Sequence, residues 1–174
     1  MIWNKAVLTY RAEGSLPGIG RLVDDHIRSA ASAWSAAGVV RLQTGKTADL
    51  LFRCRQDRFL RLGLADSPRP DGQPIQCLLN SRRFWCLSSD KPGVLLPAVL
   101  SHEIGHLLGL PHSPAAAHSV MTSRWNRRSP RLPTAEDLEA LRRLYRNDCK
   151  NDHDQLWLPS RELTCPNQEQ QNQD

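Results

Sequence analysis

The 174-residue chain lacks several features whose absence restricts what it can do. It has no run of about 18 apolar residues, so no membrane-spanning helix is predicted. None of its five cysteines stands in a Cys-x-x-Cys pair, which argues against a zinc site built from cysteine. Residues 1–5 lack the apolar core of a secretory signal. The chain is therefore expected either to stay inside the cell or to be the mature form of a secreted protein.

What is present is typical of one globular domain. Hydrophobic residues make up 40% of the chain and charged residues 24%, and the length suffices to bury a sizeable core. The net charge is +5, and many arginines lie between positions 124 and 146. A basic patch of this kind could bind nucleic acid. No nucleic-acid motif accompanies it, so a solvated basic face is the favoured interpretation.

Local patterns predict a mixture of strands and helices. Apolar residues recur at helical spacing from Ile19 to Trp34, in a helix that should end near Gly38. Thr134, followed by acidic residues, is typical of another helix start. The predicted strands cover residues 5–11, 39–42, 48–52, 75–79 and 84–87, and the predicted helices cover residues 19–38, 95–108 and those from 133 onward.

Two pairs of cysteines lie close enough in sequence to form local disulfides. Cys77 and Cys86 fall on two strands expected to form a hairpin, and Cys149 and Cys165 lie towards the C-terminal end. Disulfides would imply an oxidising compartment. Cys54 would then have no partner. A set of buried free thiols is the alternative interpretation.

The chemistry resides in residues 102–113, which read His-Glu-Ile-Gly-His-Leu-Leu-Gly-Leu-Pro-His-Ser. Four residues of helix turn through about 400°, so His102 and His106 project from one face, about 6 Å apart along the axis. Two imidazoles placed in this way can bind one zinc ion. The spacing therefore predicts a metal site on a helix.

A third ligand and a base complete the pattern. Gly109 can adopt a positive φ and Pro111 prevents the helix from resuming, so His112 can return to the metal. Three nitrogen ligands leave one tetrahedral position open for water, as catalysis requires. Glu103 lies about 100° round the helix from His102 and cannot also be a ligand. It can accept a proton from water at the open position and pass it to the leaving amine.

The full pattern His-Glu-x-x-His-x-x-Gly-x-x-His is the signature of the metzincin peptidases, in which a methionine turn follows. Met121 lies shortly after His112, at the position expected for that turn. The chain resembles the matrixins, the matrix-metalloproteinase branch of the metzincins, because its motif ends His112-Ser113 as theirs do. Weaker similarities extend over residues 5–146, at Leu8-Thr9-Tyr10-Arg11, Ala33-Trp34-Ser35, Ala48-Asp49-Leu50, Glu136-Asp137 and Leu144-Tyr145.

The resemblance implies an α+β fold, with a twisted five-stranded mixed sheet, mostly parallel with one antiparallel edge strand, and three helices. It also implies a cleft between the edge strand and the zinc helix. Substrate would add as a strand beside residues 75–79, so contacts are expected from Gln76, Cys77 and Leu78. Matrixins line their main pocket with Pro-x-Tyr after the methionine turn. The matching positions here hold Ser123 and Trp125, which makes both candidates for substrate binding.

The chain also departs from the matrixin pattern. Matrixins carry a second, structural zinc bound by histidines, whereas this chain has no histidine between His26 and His102, so one zinc is expected. Asp71-Gly72 alone resembles a matrixin calcium loop, and a polar turn is the preferred interpretation there, with calcium as the alternative. Neither the latency segment with a zinc-capping cysteine nor the propeller-like C-terminal domain of matrixins is expected from these residues. Disulfides are expected to replace the missing structural ions.

The predicted function is a zinc-dependent endopeptidase that cleaves extended protein or peptide substrates. Two alternatives remain within reach of the sequence. One is a protease of different substrate range, which either selects acidic proteins through the basic face or processes a narrow set of partner proteins. The other is a non-catalytic zinc-binding or nucleic-acid-binding module. Because a structural site has no need of Glu103, the enzyme is the preferred hypothesis.

The domain prediction divides the chain once. Residues 1–148 are expected to form the catalytic domain. Residues 149–174 are expected to form an extension, held by a Cys149–Cys165 disulfide, with a disordered polar tail from about residue 167. The resemblance favours a secreted monomer that binds protein substrates and neither a membrane nor nucleic acid.

Overall fold

The computed structural model describes residues 2–58, 62–69, 71–113, 118–123 and 130–151, the last four without their side chains. No helix of this part is long and apolar enough to cross a membrane. The helices are α1 (Asp24–Ser35), α2 (Leu96–Leu107) and α3 (Ala135–Asn151). The strands are β1 (Val7–Glu13), β2 (Ser15–Leu16), β3 (Gly20–Arg21), β4 (Arg41–Thr44), β5 (Leu50–Arg55), β6 (Gly63–Ala65), β7 (Ile75–Asn80), β8 (Trp85–Cys86) and β9 (Val94–Leu95).

Five strands form one sheet in the order β4-β1-β5-β7-β6. The first four run parallel to one another, and β6 runs antiparallel to β7 at the edge. The pairs β2-β3 and β8-β9 form two small separate ladders. A mixed sheet of five strands with three helices confirms the predicted α+β fold class.

The helix that carries the histidine motif, α2, is held by its packing against α1 and against the β6 end of the sheet. The buried face of α1 comprises Ile27, Ala30, Ala31 and Trp34, at the spacing of one helical stripe. Trp34 is fully buried, and its indole N–H donates to the carbonyl of Ser101 at 2.8 Å. This bond helps to set the position of α2 relative to α1. Its acceptor, Ser101, directly precedes His102, the first histidine of the motif.

The first helix is shorter than its apolar periodicity predicted. The chain folds back through the β2-β3 ladder before α1 begins at Asp24, and Gly18 and Gly20 adopt φ values of 87° and 83° in that turn. A positive φ ends any helical run, since other residues rarely adopt it. Leu22 is still buried in the core, but it arrives there from the turn rather than from the helix.

The predicted hairpin between residues 75–79 and 84–87 is wrong. Strand β7 pairs with β5 on one side and β6 on the other, whereas β8 pairs in parallel with β9. The turn after β7 is organised by Asn80, whose side-chain oxygen accepts the backbone N–H groups of Asp57 and Arg82. These bonds direct the chain away from the sheet instead of back along it.

The cysteines on these strands are free thiols. Cys77 is fully buried in the main core, and Cys86 belongs to a separate small cluster with Leu95 and Ala98. Their strands are not paired, so the disulfide predicted between them is not formed in the structure. The prediction for Cys149 and Cys165 lies outside the side chains that the structure describes.

Candidate metal centre

The three histidines of the motif converge on one point. The Nε2 atoms of His102 and His106 are 3.1 Å apart, and each lies 3.2 Å from Nε2 of His112. Among the described residues, they are the one group of three or more potential metal ligands whose ligand atoms converge. The structure therefore brings together all three residues that the spacing predicted as ligands.

The hydrogen-bond partners of Nδ1 in His102 and His106 determine which tautomer each ring adopts. His102 Nδ1 lies 2.7 Å from the carbonyl oxygen of Val120, and His106 Nδ1 lies 2.8 Å from that of Leu110. A carbonyl can only accept a hydrogen bond, so each Nδ1 must carry the proton. A neutral imidazole has one N–H, and therefore the Nε2 lone pairs of both rings point at the centre of the triangle.

Burial keeps these two rings neutral. It lowers the pKa of His102 to about 4, against smaller raising contributions from the Val120 carbonyl. Burial likewise lowers the pKa of His106. Near pH 7 both rings are therefore free bases, which is the form that binds metals.

The turn that delivers His112 is a Schellman helix end. Helix α2 gives way to Gly109, with a φ of 100°, and its N–H donates to the carbonyl of His106 at 2.9 Å. The N–H of Leu110 donates to the carbonyl of Gly105, also at 2.9 Å. These two bonds define the motif and depend on the glycine. The sequence prediction that Gly109 lets the chain leave the helix sharply agrees with this geometry.

Two side chains from distant parts of the chain cap the same helix end. The indole N–H of Trp3 donates to the carbonyl of Leu107 at 2.8 Å. The hydroxyl of Tyr145 donates to the carbonyl of Leu108 at 3.3 Å. Carbonyls in the last turn of a helix have no intrahelical partner, so these contacts satisfy groups that would otherwise be unpaired. They also connect the turn that leads to His112 with the segment before β1, which contains Trp3, and with α3, which contains Tyr145.

Met121 lies directly against the motif helix. A Cβ atom added to Gly105 would stand 2.2 Å from the Met121 sulfur, so only glycine leaves room for this packing. The carbonyl of Met121 accepts the N–H of Ser113 at 2.9 Å, which ties its loop to the segment that follows His112. The methionine thus packs under the helix segment between His102 and His106.

The loop before Met121 is fastened by Asp137, a role that the sequence did not reveal. Its carboxylate accepts hydrogen bonds from the Ser119 hydroxyl, from the Val120 N–H at 3.0 Å, and from the N–H and hydroxyl of Thr134 at 2.9 Å each. The carbonyl of Val120 accepts a hydrogen bond from His102, so Asp137 helps to position the His102 ring indirectly, by holding Val120. Its acidic position in the first turn of α3 indicated only a helix-dipole effect.

Glu103 is enclosed between α2 and the edge strand. The side chain is 6% exposed, and the backbone N–H of Ala65 bonds its carboxylate. A Cβ atom at Gly63 would lie 2.5 Å from Oε1 of Glu103. Burial raises the pKa of Glu103 to about 7, while the Ala65 N–H lowers it. A carboxyl group that titrates near neutrality can both accept and return a proton there.

The residues predicted to bind substrate are placed differently from the expectation. Gln76, Cys77 and Leu78 lie on β7, an interior strand whose backbone already pairs on both sides, so no further strand can add there. Within the described part of the chain, β6 is the edge strand on the β7 side of the sheet, and it contacts Glu103. Ser123 is exposed beyond Met121, and Trp125 lies outside the described residues.

The predicted calcium loop has the geometry of a polar turn. Asp71 uses its carboxylate to accept the N–H of Gln73 at 3.0 Å, and Gly72 adopts a φ of 63°. An aspartate that bonds the backbone two residues on forms an Asx turn. This geometry agrees with the polar turn that the sequence favours at Asp71-Gly72.

Comparisons with known proteins agree with the geometry. The family model described as Matrixin matches residues 2–146. Matrix metalloproteinase-26 of Homo sapiens is 28% identical over 165 aligned residues, which cover 86% of this chain. The alignment covers 62% of the human protein, so the chain spans less than two thirds of that relative's length.

Proposed function

The chain belongs to the matrixin family of metalloendopeptidases, and on that premise we propose that it is a zinc-dependent enzyme that hydrolyses peptide bonds of extended protein substrates. One observation carries the proposal. The Nε2 atoms of His102 and His106 stand 3.1 Å apart, although both rings carry their proton on the other nitrogen. Two lone pairs at this distance repel each other unless a cation lies between them.

The histidine triangle fits zinc in size. Zinc–nitrogen bonds of about 2.0–2.1 Å in a tetrahedral arrangement place neighbouring nitrogens about 3.3 Å apart. The observed separations are 3.1 and 3.2 Å. His102, His106 and His112 would therefore bind the ion. A zinc ion bound in this way acidifies water and polarises the peptide carbonyl.

The chain's own groups would move the proton. Glu103 accepts it from the attacking water at its carboxylate and returns it to the leaving amine, so water is added across the carbon–nitrogen bond and the carboxylate is regenerated. Burial in the metal-free protein raises its pKa, which favours holding the proton between the two transfers. The carbonyls of Val120 and Leu110 hold two ligand rings in orientation meanwhile.

The edge strand β6 is the proposed docking strand. Its inner edge pairs with β7 through Gly63, Leu64 and Ala65, and within the described residues no strand pairs with its outer edge. An extended peptide can add to such an edge through main-chain hydrogen bonds. Because Gly63 and Ala65 contact Glu103, a peptide docked there passes beside the base.

Matrixins are generally extracellular, and we propose the same for this chain, acting as a monomer. The buried free thiols Cys77 and Cys86 indicate that the described part of the fold does not depend on a disulfide between them. Sedimentation analysis should give the mass of one chain. A stable dimer would contradict this part of the proposal.

The test distinguishes metal binding from the role of Glu103 as a general base. Glu103→Ala should keep the zinc content of the wild type and lower peptide cleavage by a factor of about 10²–10⁴, the usual contribution of a general base. Glu136→Ala, an exposed acidic residue on α3, is the matched control and should cleave normally. A chelator should abolish wild-type cleavage, and added zinc should restore it.

Two outcomes would contradict the proposal. Cleavage at the wild-type rate by Glu103→Ala would remove the glutamate from its assigned role. A wild-type chain that holds zinc, cleaves no peptide in a mixed library and binds DNA with a steep salt dependence would instead support the non-catalytic alternative.

A further inference from the structure

A cavity of about 400 Å³ opens beside the edge strand β6, and no histidine is among its described lining residues. Its apolar lining comes from Leu62, Leu64 and Leu78, and its charged lining comes from Arg55, Asp57 and Arg58. We call this cavity the outer pocket. Gln56, Gly63 and Asn80 complete the described lining, and of these residues Gly63 alone also faces Glu103.

The outer pocket lies on the opposite face of the sheet from Glu103. Gly63 directs its side-chain position at the Glu103 carboxylate, and successive residues of a strand point to opposite faces. Leu64 therefore points to the other face, where it is 46% exposed, and it is paired with Leu78 across the ladder. Two neighbouring residues of β6 therefore face different sites: Gly63 faces the Glu103 carboxylate, and Leu64 faces the outer pocket.

The two arginines of the pocket form no ion pair with any carboxylate among the described residues. Within the part of the chain that the structure describes, Arg53 pairs with Glu13 at 3.2 Å and Arg69 with Asp66 at 3.4 Å, but neither Arg55 nor Arg58 forms an ion pair. Both are exposed at the rim. Among the described lining residues Asp57 is the single acidic one, and the charges of Arg55, Asp57 and Arg58 sum to +1.

An extended substrate on β6 would present side chains to this pocket. In an added strand, alternate side chains face the Glu103 side and the intervening ones face the side of Leu64. Arg55 lies on β5, and β7 and β6 stand between it and the docked peptide, which is therefore three strand spacings or about 14 Å away. The arginine and a substrate side chain can meet only where both extend across this face of the sheet, over Leu78 and Leu64. The planar guanidinium group matches a carboxylate through paired hydrogen bonds. The occupant favoured by this arrangement is an aspartate or glutamate side chain.

We propose that the outer pocket is a specificity subsite, in which Arg55 and Arg58 bind an acidic side chain of the substrate within three residues of the bond that is cut. This inference rests on the proposed function, because it requires a peptide docked along β6. It assigns part of the chain's positive charge to substrate selection. The apolar floor formed by Leu64 and Leu78 would hold the methylene groups of the same side chain.

The test is a set of fluorogenic peptides that differ at one position. Aspartate, asparagine and lysine are placed in turn at each of the three positions on either side of the scissile bond, and kcat/KM is measured for each peptide. The wild type should prefer aspartate over asparagine by about fivefold at one of these positions, a ratio equivalent to about 1 kcal/mol for a solvent-exposed ion pair. The preference should weaken as salt is added.

Two double variants locate the effect. R55Q/R58Q should cleave the asparagine peptide as the wild type does and should lose the preference for aspartate, and R58Q alone should lose part of it. R21Q/R41Q is the matched control, because it removes the same charge from exposed positions on β3 and on the opposite edge strand β4. That control should keep the preference.

The possible failures are distinguishable. Cleavage without any preference for aspartate, a preference that survives in R55Q/R58Q, or one that R21Q/R41Q loses equally would overturn the subsite and leave the peptidase standing. Absence of cleavage in every peptide, with zinc bound, would overturn the proposed function and the subsite with it.

Discussion

Replacing Glu103 by glutamine should make the metal-free protein more stable at pH 8 while abolishing hydrolysis. Burial raises the pKa of this carboxyl from its ordinary value of 4.5 to about 7 in the folded protein. The folded chain therefore holds the proton more tightly than the unfolded chain does. The stability that this proton contributes is fully present below pH 4.5 and is lost as the pH rises through 7.

The magnitude follows from the two pKa values. Each pKa unit corresponds to about 1.4 kcal/mol, so the difference between 4.5 and about 7 destabilises the folded protein at pH 8 by about 3 kcal/mol. Glutamine has the same shape and no charge, and its oxygen can still accept the Ala65 N–H. We therefore expect Glu103→Gln to gain up to about 3 kcal/mol at pH 8 and almost nothing at pH 4.

The assay is denaturant unfolding of both proteins in the presence of a chelator, at pH 4 and pH 8. Glu136→Gln, at an exposed position, is the control and should change the free energy of unfolding little at either pH. An equal gain at both pH values would refute the reasoning, because it would place the benefit in packing rather than in the charge. No gain at pH 8 would show that burial does not raise this pKa.

Three further substitutions test the support of the metal centre. Asp137→Asn should lower the free energy of unfolding, measured by titration with denaturant, by about 2 kcal/mol, as expected for hydrogen bonds to a charged group. It should also weaken zinc binding, measured by titration with zinc, about 10- to 100-fold, because His102 is held less firmly. Gly105→Ala should cost about 1–3 kcal/mol in thermal unfolding, because its Cβ would meet the Met121 sulfur at 2.2 Å, and a smaller residue in place of Met121 should restore part of the loss. Ser101→Ala should be neutral or stabilise by about 1 kcal/mol, since the Ser101 hydroxyl is the one buried side-chain polar group without a partner among the described residues. A large loss in the last variant would mean that the hydroxyl has an unrecognised partner.

The parts of the site that are local in sequence could be predicted. The relation between His102 and His106 follows from helix geometry, and the return of His112 follows from the positive φ of Gly109. Each of these features needs only neighbouring residues. The helix that carries them was therefore placed within one residue of its observed bounds at each end.

The parts that depend on distant pairing could not be predicted in the same way. Strand β6 has three residues, Gly63 to Ala65, too few to show an alternating pattern, and its place at the edge is set by its partner β7. For that reason residues 75–79 were expected to bind substrate, although their backbone is already paired. The role of Asp137 was hidden too, because its partners Ser119 and Val120 come from another segment.

The most direct test of the central claim is a zinc titration of the metal-free chain, followed by calorimetry. The three converging Nε2 atoms predict one tightly bound equivalent in the wild type, and a large loss of affinity in His112→Ala, which keeps the helix but removes one corner of the triangle. Two bound equivalents, no binding, or binding that His112→Ala leaves unchanged would contradict it.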